Sequence, residues 1–227
     1  MILGDICTRD CRYCNIKTGK PLPLDSKEPQ HIAEAVEHLN LNYAVITCVT
    51  RDDLKDSGAQ QFADTVHAIR RRKPDCKVEL LISDLNGKWD ALQTILDSKP
   101  DVLNHNIEIM RNLFPTLRAQ GDYDISLALL QKTKERDPDC MTKSGFMVGV
   151  GEIDEDITQT LMDLKNVGCD IITVGQYLQP SPNHYPVQKY YTTQEFETIK
   201  TKAKEIGIRH VIAGPLVRSS YRAHEVV

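Results

Sequence analysis

The run Cys7-Thr8-Arg9-Asp10-Cys11-Arg12-Tyr13-Cys14 places three thiols within eight residues, with three residues between the first pair and two between the second. Thiolates gathered by one short loop can hold three irons of a cubane iron–sulfur cluster and leave the fourth iron without a protein ligand. An open iron is a place for chemistry.

Two other readings of these cysteines compete. A structural zinc site normally takes its remaining ligands from a second close pair of Cys or His, and no such pair follows within the next thirty residues. Disulfide bonding needs an oxidising compartment. The sequence shows no signal-peptide pattern, carries seven cysteines, an odd number, and has enough apolar content to build a core without cross-links. The cluster reading is preferred to both.

Composition sets wider bounds. With 227 residues and a hydrophobic fraction of 41%, the chain suits one α/β domain over residues 1–227. A net charge of −4 argues against nucleic acid as the main partner. The longest basic run, Arg70-Arg71-Arg72-Lys73, precedes Pro74 and reads as a helix C-terminus whose cations complement the macrodipole. No stretch of 18 apolar residues occurs, so a transmembrane span is excluded on length.

Strand-like and helix-like segments alternate. β-rich runs fall at Tyr43 to Val49, Val78 to Ile82, Val102 to Asn106, Ser144 to Val150, Ile171 to Val174 and His210 to Ala213, with Met1 to Ile6 as a short first candidate. Between them, Ile32, Val36 and Leu39 recur at helical offsets, as do Phe62, Val66, Ile69 and Ile157, Leu161, Leu164. Gly168 suits a helix C-terminus, and Thr192 with Glu195 has capping-box form. The alternation predicts a parallel sheet with crossover helices, doubly wound or barrel-like; periodicity does not separate the two.

Further motifs accompany the cysteine loop: Met1-Ile2-Leu3-Gly4-Asp5 before it and Asn15 after it, Thr50-Arg51-Asp52-Asp53-Leu54, Asn104-His105-Asn106-Ile107-Glu108, Gly149-Val150-Gly151-Glu152, Gly175-Gln176-Tyr177-Leu178-Gln179-Pro180, and Gly214-Pro215-Leu216-Val217-Arg218-Ser219-Ser220-Tyr221. Together they resemble the lipoyl synthases of the radical S-adenosylmethionine (SAM) superfamily along nearly the whole chain, the final Arg-Ser-Ser-Tyr being the most family-specific. The resemblance implies an incomplete (β/α)₆ TIM-type barrel. It implies a [4Fe-4S] cluster on Cys7, Cys11 and Cys14 with its open iron chelated by SAM. The implied reaction inserts two sulfurs, at C6 and C8, into a protein-bound octanoyl group. Implied partners are an octanoylated lipoyl carrier domain, from a 2-oxo acid dehydrogenase E2 or the glycine cleavage H protein, and an electron donor such as ferredoxin or flavodoxin.

In parallel α/β folds function collects at the C-terminal strand ends, where these motifs fall. The resemblance assigns Tyr13, Arg51, Asp52, Asn106, Glu108 and Gln176 to the cofactor. Asp52 and Glu108 can accept hydrogen bonds from its ammonium or ribose hydroxyls, and Asn106 and Gln176 can both donate and accept. Each could also serve as a strand-end cap. His105 is expected to fix its loop rather than act as acid or base. Cys76, Cys140 and Cys169 follow helix ends and belong on the opposite face as buried thiols; Cys48 stands nearer the mouth as a minor candidate ligand.

In the family a second [4Fe-4S] cluster, the source of the inserted sulfur, is bound by three cysteines ahead of the barrel and by a serine, here Ser220. Only six residues precede Cys7 in this sequence. A fragment of a longer synthase is therefore expected, unable to complete sulfur insertion alone. A short natural chain that obtains the cluster from a partner, or a paralogue, would also account for the missing cysteines. The runner-up activities are a single-cluster radical SAM enzyme of another reaction and a degenerate barrel holding a structural metal. The expected location is the cytoplasm, or the mitochondrion for a truncated chain.

Overall fold

The computed structural model describes residues 1–225. Six strands form the sheet: β3 (Tyr43–Thr47), β4 (Lys77–Leu81), β5 (Val102–Asn104), β6 (Met141–Val148), β7 (Ile171–Gln176) and β8 (His210–Gly214). They pair in sequence order and every pair is parallel. A two-residue parallel pair, β1 (Ile6–Cys7) with β2 (Lys17–Thr18), brackets the cysteine loop. The crossovers carry α1 (Glu28–His38), α2 (Ala59–Arg72), α3 (Trp89–Asp97), the short α4 (Phe114–Leu117), α5 (Tyr123–Arg136), α6 (Asp154–Asn166) and α7 (Thr193–Ile206). Parallel strands in sequential order with same-handed crossovers keep all helices on one face and curl the sheet away from them. No ladder joins β3 to β8 among the described residues, so the barrel stays open, as the incomplete (β/α)₆ expectation requires.

The strand period sorts side chains between two surfaces. Ala44 and Ile46 of β3 are buried among Val36, Phe62, Val66 and Ile69 of α1 and α2. Ile157, Leu161 and Leu164 of α6 close over Ile172 and Val174 of β7. The opposite face lines the barrel interior. By register, Glu79 of β4, Asn104 of β5 and Lys143 of β6 share that face. There Lys143 Nζ lies 3.0 Å from Glu79 Oε1, both side chains being fully buried.

Both expected caps form. Thr192 Oγ1 accepts from the Glu195 amide, and the Glu195 carboxylate accepts from the Thr192 amide at 2.7 Å. Gly168, at φ 77°, ends α6 in a left-handed conformation that costs glycine little. The basic run closes α2, where Arg70 pairs with Asp101, and Arg72 with Glu34 and Glu37.

Two expectations fail. Met1 to Ile6 is not a strand of the sheet: Leu3 and Gly4 take φ of 70° and 92°, which breaks the extended chain, so Ile2 makes only an isolated bridge to Cys48. Leu39 does not complete the α1 stripe. The helix ends at His38, Leu39 is exposed, and Pro29, Ala33 and Val36 form the buried face.

Candidate active site

Cys7 closes β1, and Cys11 and Cys14 stand in the turn after it, where the Cys14 amide donates to Cys11 O at 2.9 Å. All three are free thiols lining one cavity of about 170 Å³ at the C-terminal ends of β3, β4 and β5. Burial raises the Cys11 and Cys14 thiols, and the neighbouring thiols of the trio add to the rise. Among the described residues no three His, Cys, Asp or Glu side chains converge closely enough to hold a single metal ion. Thiolates bound to separate corners of a cubane stand further apart than ligands sharing one ion. Three thiols carried by one short loop and facing one cavity are a donor set that fits an iron–sulfur cluster.

Several elements fix this loop. Thr8 donates to Thr50 O from both its amide and its hydroxyl, each at 3.1 Å. The Arg12 amide donates to Leu117 O and the Tyr185 amide to Arg12 O, both at 3.0 Å. Arg9 turns inward. Its Nε and Nη2 donate to Asp52 at 2.7 and 2.9 Å, and its Nη1 and Nη2 to Asp84 at 2.5 and 2.7 Å. Burial by itself would raise the Asp84 carboxyl, but the Arg9 hydrogen bonds and nearby positive charge hold it down at about 2.

The motif Asn104 to Glu108 forms the wall beyond the cysteines. His105 Nδ1 lies 2.9 Å from Ile82 O. A carbonyl only accepts, so Nδ1 carries the proton and Nε2 is a bare acceptor, buried and without a partner. Burial, with Arg118 nearby, lowers His105 to about 4. Asn106 Oδ1 is likewise buried and unpartnered. Burial raises Glu108, against the opposing pull of Arg118 and a hydrogen bond from Asn106. Arg118 itself donates to Asn106 O and Ile107 O at 3.2 Å. Asn106 and Glu108 also line a second cavity of about 90 Å³, bounded by Gly145, Thr173, Gly175 and Ser219. The two cavities meet at these side chains.

The structure brings Cys7, Cys11, Cys14, Tyr13, Asn106 and Glu108 to this site. Cys48 joins them, its thiol pushed up to about 12 by burial. Three others are engaged elsewhere. Arg51 is buried, and its guanidinium donates to Leu3 O and Leu22 O at 3.0 Å and to Asp53. Asp52 is taken up by Arg9 and Thr8. Gln176 donates to Tyr177 O and Lys189 O and accepts from the Tyr191 amide, so all of it ties down the β7–α7 connection. Ser220 is exposed, and its neighbour Ser219 is the serine that lines the second cavity. Arg9, Asp84 and Arg118 were not expected; an Arg within the cysteine loop and an Asp just after a strand were the available signals. Cys76, Cys140 and Cys169 are buried at the helix-to-strand side, as expected.

Residues 1–164 match the Radical SAM superfamily. A lipoyl synthase of Rubrobacter xylanophilus is 52% identical over 225 residues, 99% of this chain and 70% of that protein. One of Halalkalibacterium halodurans is 53% identical over 227 residues, 100% of this chain and 75% of that protein. The chain belongs to the lipoyl synthase family. Solved structures share the fold. Methylornithine synthase superposes with a TM-score of 0.66 at 12% identity, covering 93% of this chain and 69% of its own. Streptococcus suis SuiB bound to S-adenosylmethionine gives 0.69 at 12% identity, covering 92% of this chain and 48% of its own. At that identity these likenesses concern the fold alone. Membership of the lipoyl synthase family brings with it a [4Fe-4S] cluster and SAM as cofactors, a protein-bound octanoyl substrate and the need for a reductant.

Proposed function

We propose that Cys7, Cys11 and Cys14 ligate the [4Fe-4S] cluster, that Tyr13, Asn106 and Glu108 receive SAM beside it, and that this site, with sulfur supplied by a second [4Fe-4S] cluster, serves sulfur insertion at C6 and C8 of the octanoyl group. One observation carries this reading: three free thiols face a single cavity whose far wall offers an unpartnered buried acceptor, Asn106 Oδ1. Bound together, a reduced cluster and SAM would supply the means to remove hydrogen from unactivated carbon. The protein's own share is positioning. Asn106 Oδ1 accepts from a donor of the cofactor, and Glu108, half-buried where the two cavities meet, accepts a second. Gly145 and Gly175 line the second cavity and let Thr173 and the Val217 carbonyl approach its wall closely.

Asp52, Arg51 and Gln176 act on the cofactor at one remove, by fixing the loops that reach it. Ser220, at the mouth one residue beyond the cavity wall, is the proposed oxygen ligand of a second [4Fe-4S] cluster. The carrier is an octanoylated E2 or glycine cleavage H domain, and the reductant a ferredoxin or flavodoxin of the cytoplasm. Among the described residues no helix is long and apolar enough to cross a membrane.

Anaerobic reconstitution tests the reading. Iron and acid-labile sulfide should rise by about four per chain for each cubane bound, and added SAM and dithionite should give 5′-deoxyadenosine. Cys11→Ala should lose that nucleoside; its continued formation in the variant would reject the ligand assignment.

A further inference from the structure

We propose that Arg9 is a positioning residue which builds the cysteine loop before iron arrives, by clasping the C-terminal ends of β3 and β4. The inference rests on the assignment of Cys7, Cys11 and Cys14 as ligands. Arg9 stands between the first two of these and is 5% exposed. Its guanidinium meets two carboxylates edge-on, Asp52 after β3 through Nε and Nη2, and Asp84 after β4 through Nη1 and Nη2. Both carboxylates are themselves held. Asp84, almost fully buried, accepts from the Asn86 amide at 2.9 Å. Asp52 is held through its amide, which donates to Thr8 Oγ1 at 3.1 Å. On the other side of the clasp, the Arg9 carbonyl accepts from Thr18 Oγ1 at 3.0 Å and the Arg9 amide approaches Cys7 Sγ at 3.4 Å.

The geometry has a chemical logic. Without a clasp, gathering three thiols on a short loop is opposed by the loop's conformational entropy. Four charge-assisted bonds from one rigid fork oppose that freedom and set the loop against two strand ends at once. A lysine could supply the charge but not the two edges, so the fork is what the site requires. Arg118 Nη2, 3.9 Å from Asp84, helps to balance the two carboxylates.

The test uses Arg9→Lys, with Asp52→Asn as a milder variant on a partly exposed side chain. In metal-free protein held without oxygen, iodoacetamide labelling is followed thiol by thiol by peptide mass. Arg9→Lys should label the half-buried Cys7 and Cys11 on the order of tenfold faster than the parent, as loss of a charge-assisted bond from a local opening equilibrium predicts, whereas Cys14, exposed already, should change little. Asp52→Asn should move the same thiols by less. Cys76, Cys140 and Cys169, buried in the body of the fold, should keep their parent rates in both. Iron uptake on reconstitution should slow in the same order. If all the thiols of Arg9→Lys accelerate together, the variant has loosened globally, and Asp52→Asn decides. Parent labelling and uptake rates in Asp52→Asn and Arg9→Lys would overturn the proposal and leave the ligand assignment standing. Failure of the parent to take up iron would reject the assignment instead, with the labelling arm still reporting on the clasp.

Discussion

His105 shows how one residue can be read in part. Its place after β5 marks it as a loop-fixing side chain, and the Nδ1–H to Ile82 O bond does that work. What spacing does not reveal is that the ring is buried neutral, with His105 lowered to about 4 by burial and by Arg118. The sign follows from linkage. Between its unfolded value near 6.5 and about 4, the unfolded chain binds the proton and the folded chain does not, so this contribution is complete above 6.5 and is lost as the pH falls towards 4. That interval is worth roughly 3 kcal/mol at about 1.4 kcal/mol per pH unit. Glu108, raised by burial, works in the opposite direction, so the comparison must be between variants. His105→Asn can still donate to Ile82 O and cannot titrate. Urea unfolding from pH 7 to pH 4 should show a shallower loss of stability in the variant than in the parent. Equal slopes would mean that His105 does not report the acid limb. Asn106 and Glu108 are singled out by the family motifs and not by their position, since a polar residue at a strand end reads equally well as a cap; both line the cavity. The motifs do not reveal that the donors and acceptors of Arg51 and Gln176 are consumed by backbone groups distant in sequence.

At the scale of elements, the strand ends near the second cavity are shaped by missing side chains. A Cβ on Gly175 of β7 would fall 2.3 Å from Val217 O, and one on Gly145 of β6 would fall 2.4 Å from Thr173 Oγ1 and 3.1 Å from Asn106 Oδ1. The Gly175 obstacle is backbone, which no rotamer change relieves. Gly175→Ala should therefore displace the turn through Val217 to Ser219, cost about 1–3 kcal/mol as an overpacked site does, and weaken SAM binding in equilibrium dialysis. Unchanged stability and affinity would show that this turn moves freely. The element pattern itself was largely readable, since alternation and helical stripes both follow from burial against one sheet. The exceptions are local. Leu3 at positive φ, with its amide donating to Glu28 at 3.1 Å, turns an apolar opening run away from the sheet. The cap after α1 leaves Leu39 in solvent although its spacing suits the stripe.

An open barrel lacks the ladder that would fix its curvature, so contacts across its interior must contribute. The Lys143–Glu79 pair joins β6 to β4, and the strand between them adds Asn104, whose Nδ2 donates to Glu79 Oε1 at 2.7 Å. From β3, Tyr43 donates its hydroxyl proton to Glu79 Oε2, also at 2.7 Å. Four of the six strands thus meet at one carboxylate. A pair with this degree of burial is not stabilising by default, because the desolvation of both ions offsets their attraction. Removing one partner is a different matter. Lys143→Met leaves Glu79 charged and uncompensated and should cost about 3–5 kcal/mol in urea unfolding. Adding Glu79→Gln removes the stranded charge and keeps an oxygen for Asn104 or Tyr43, so the double variant should be more stable than Lys143→Met alone. A double variant whose loss equals the sum of the two single losses would mean that lysine and glutamate act independently, and that the curvature of the open sheet is held by its apolar core instead.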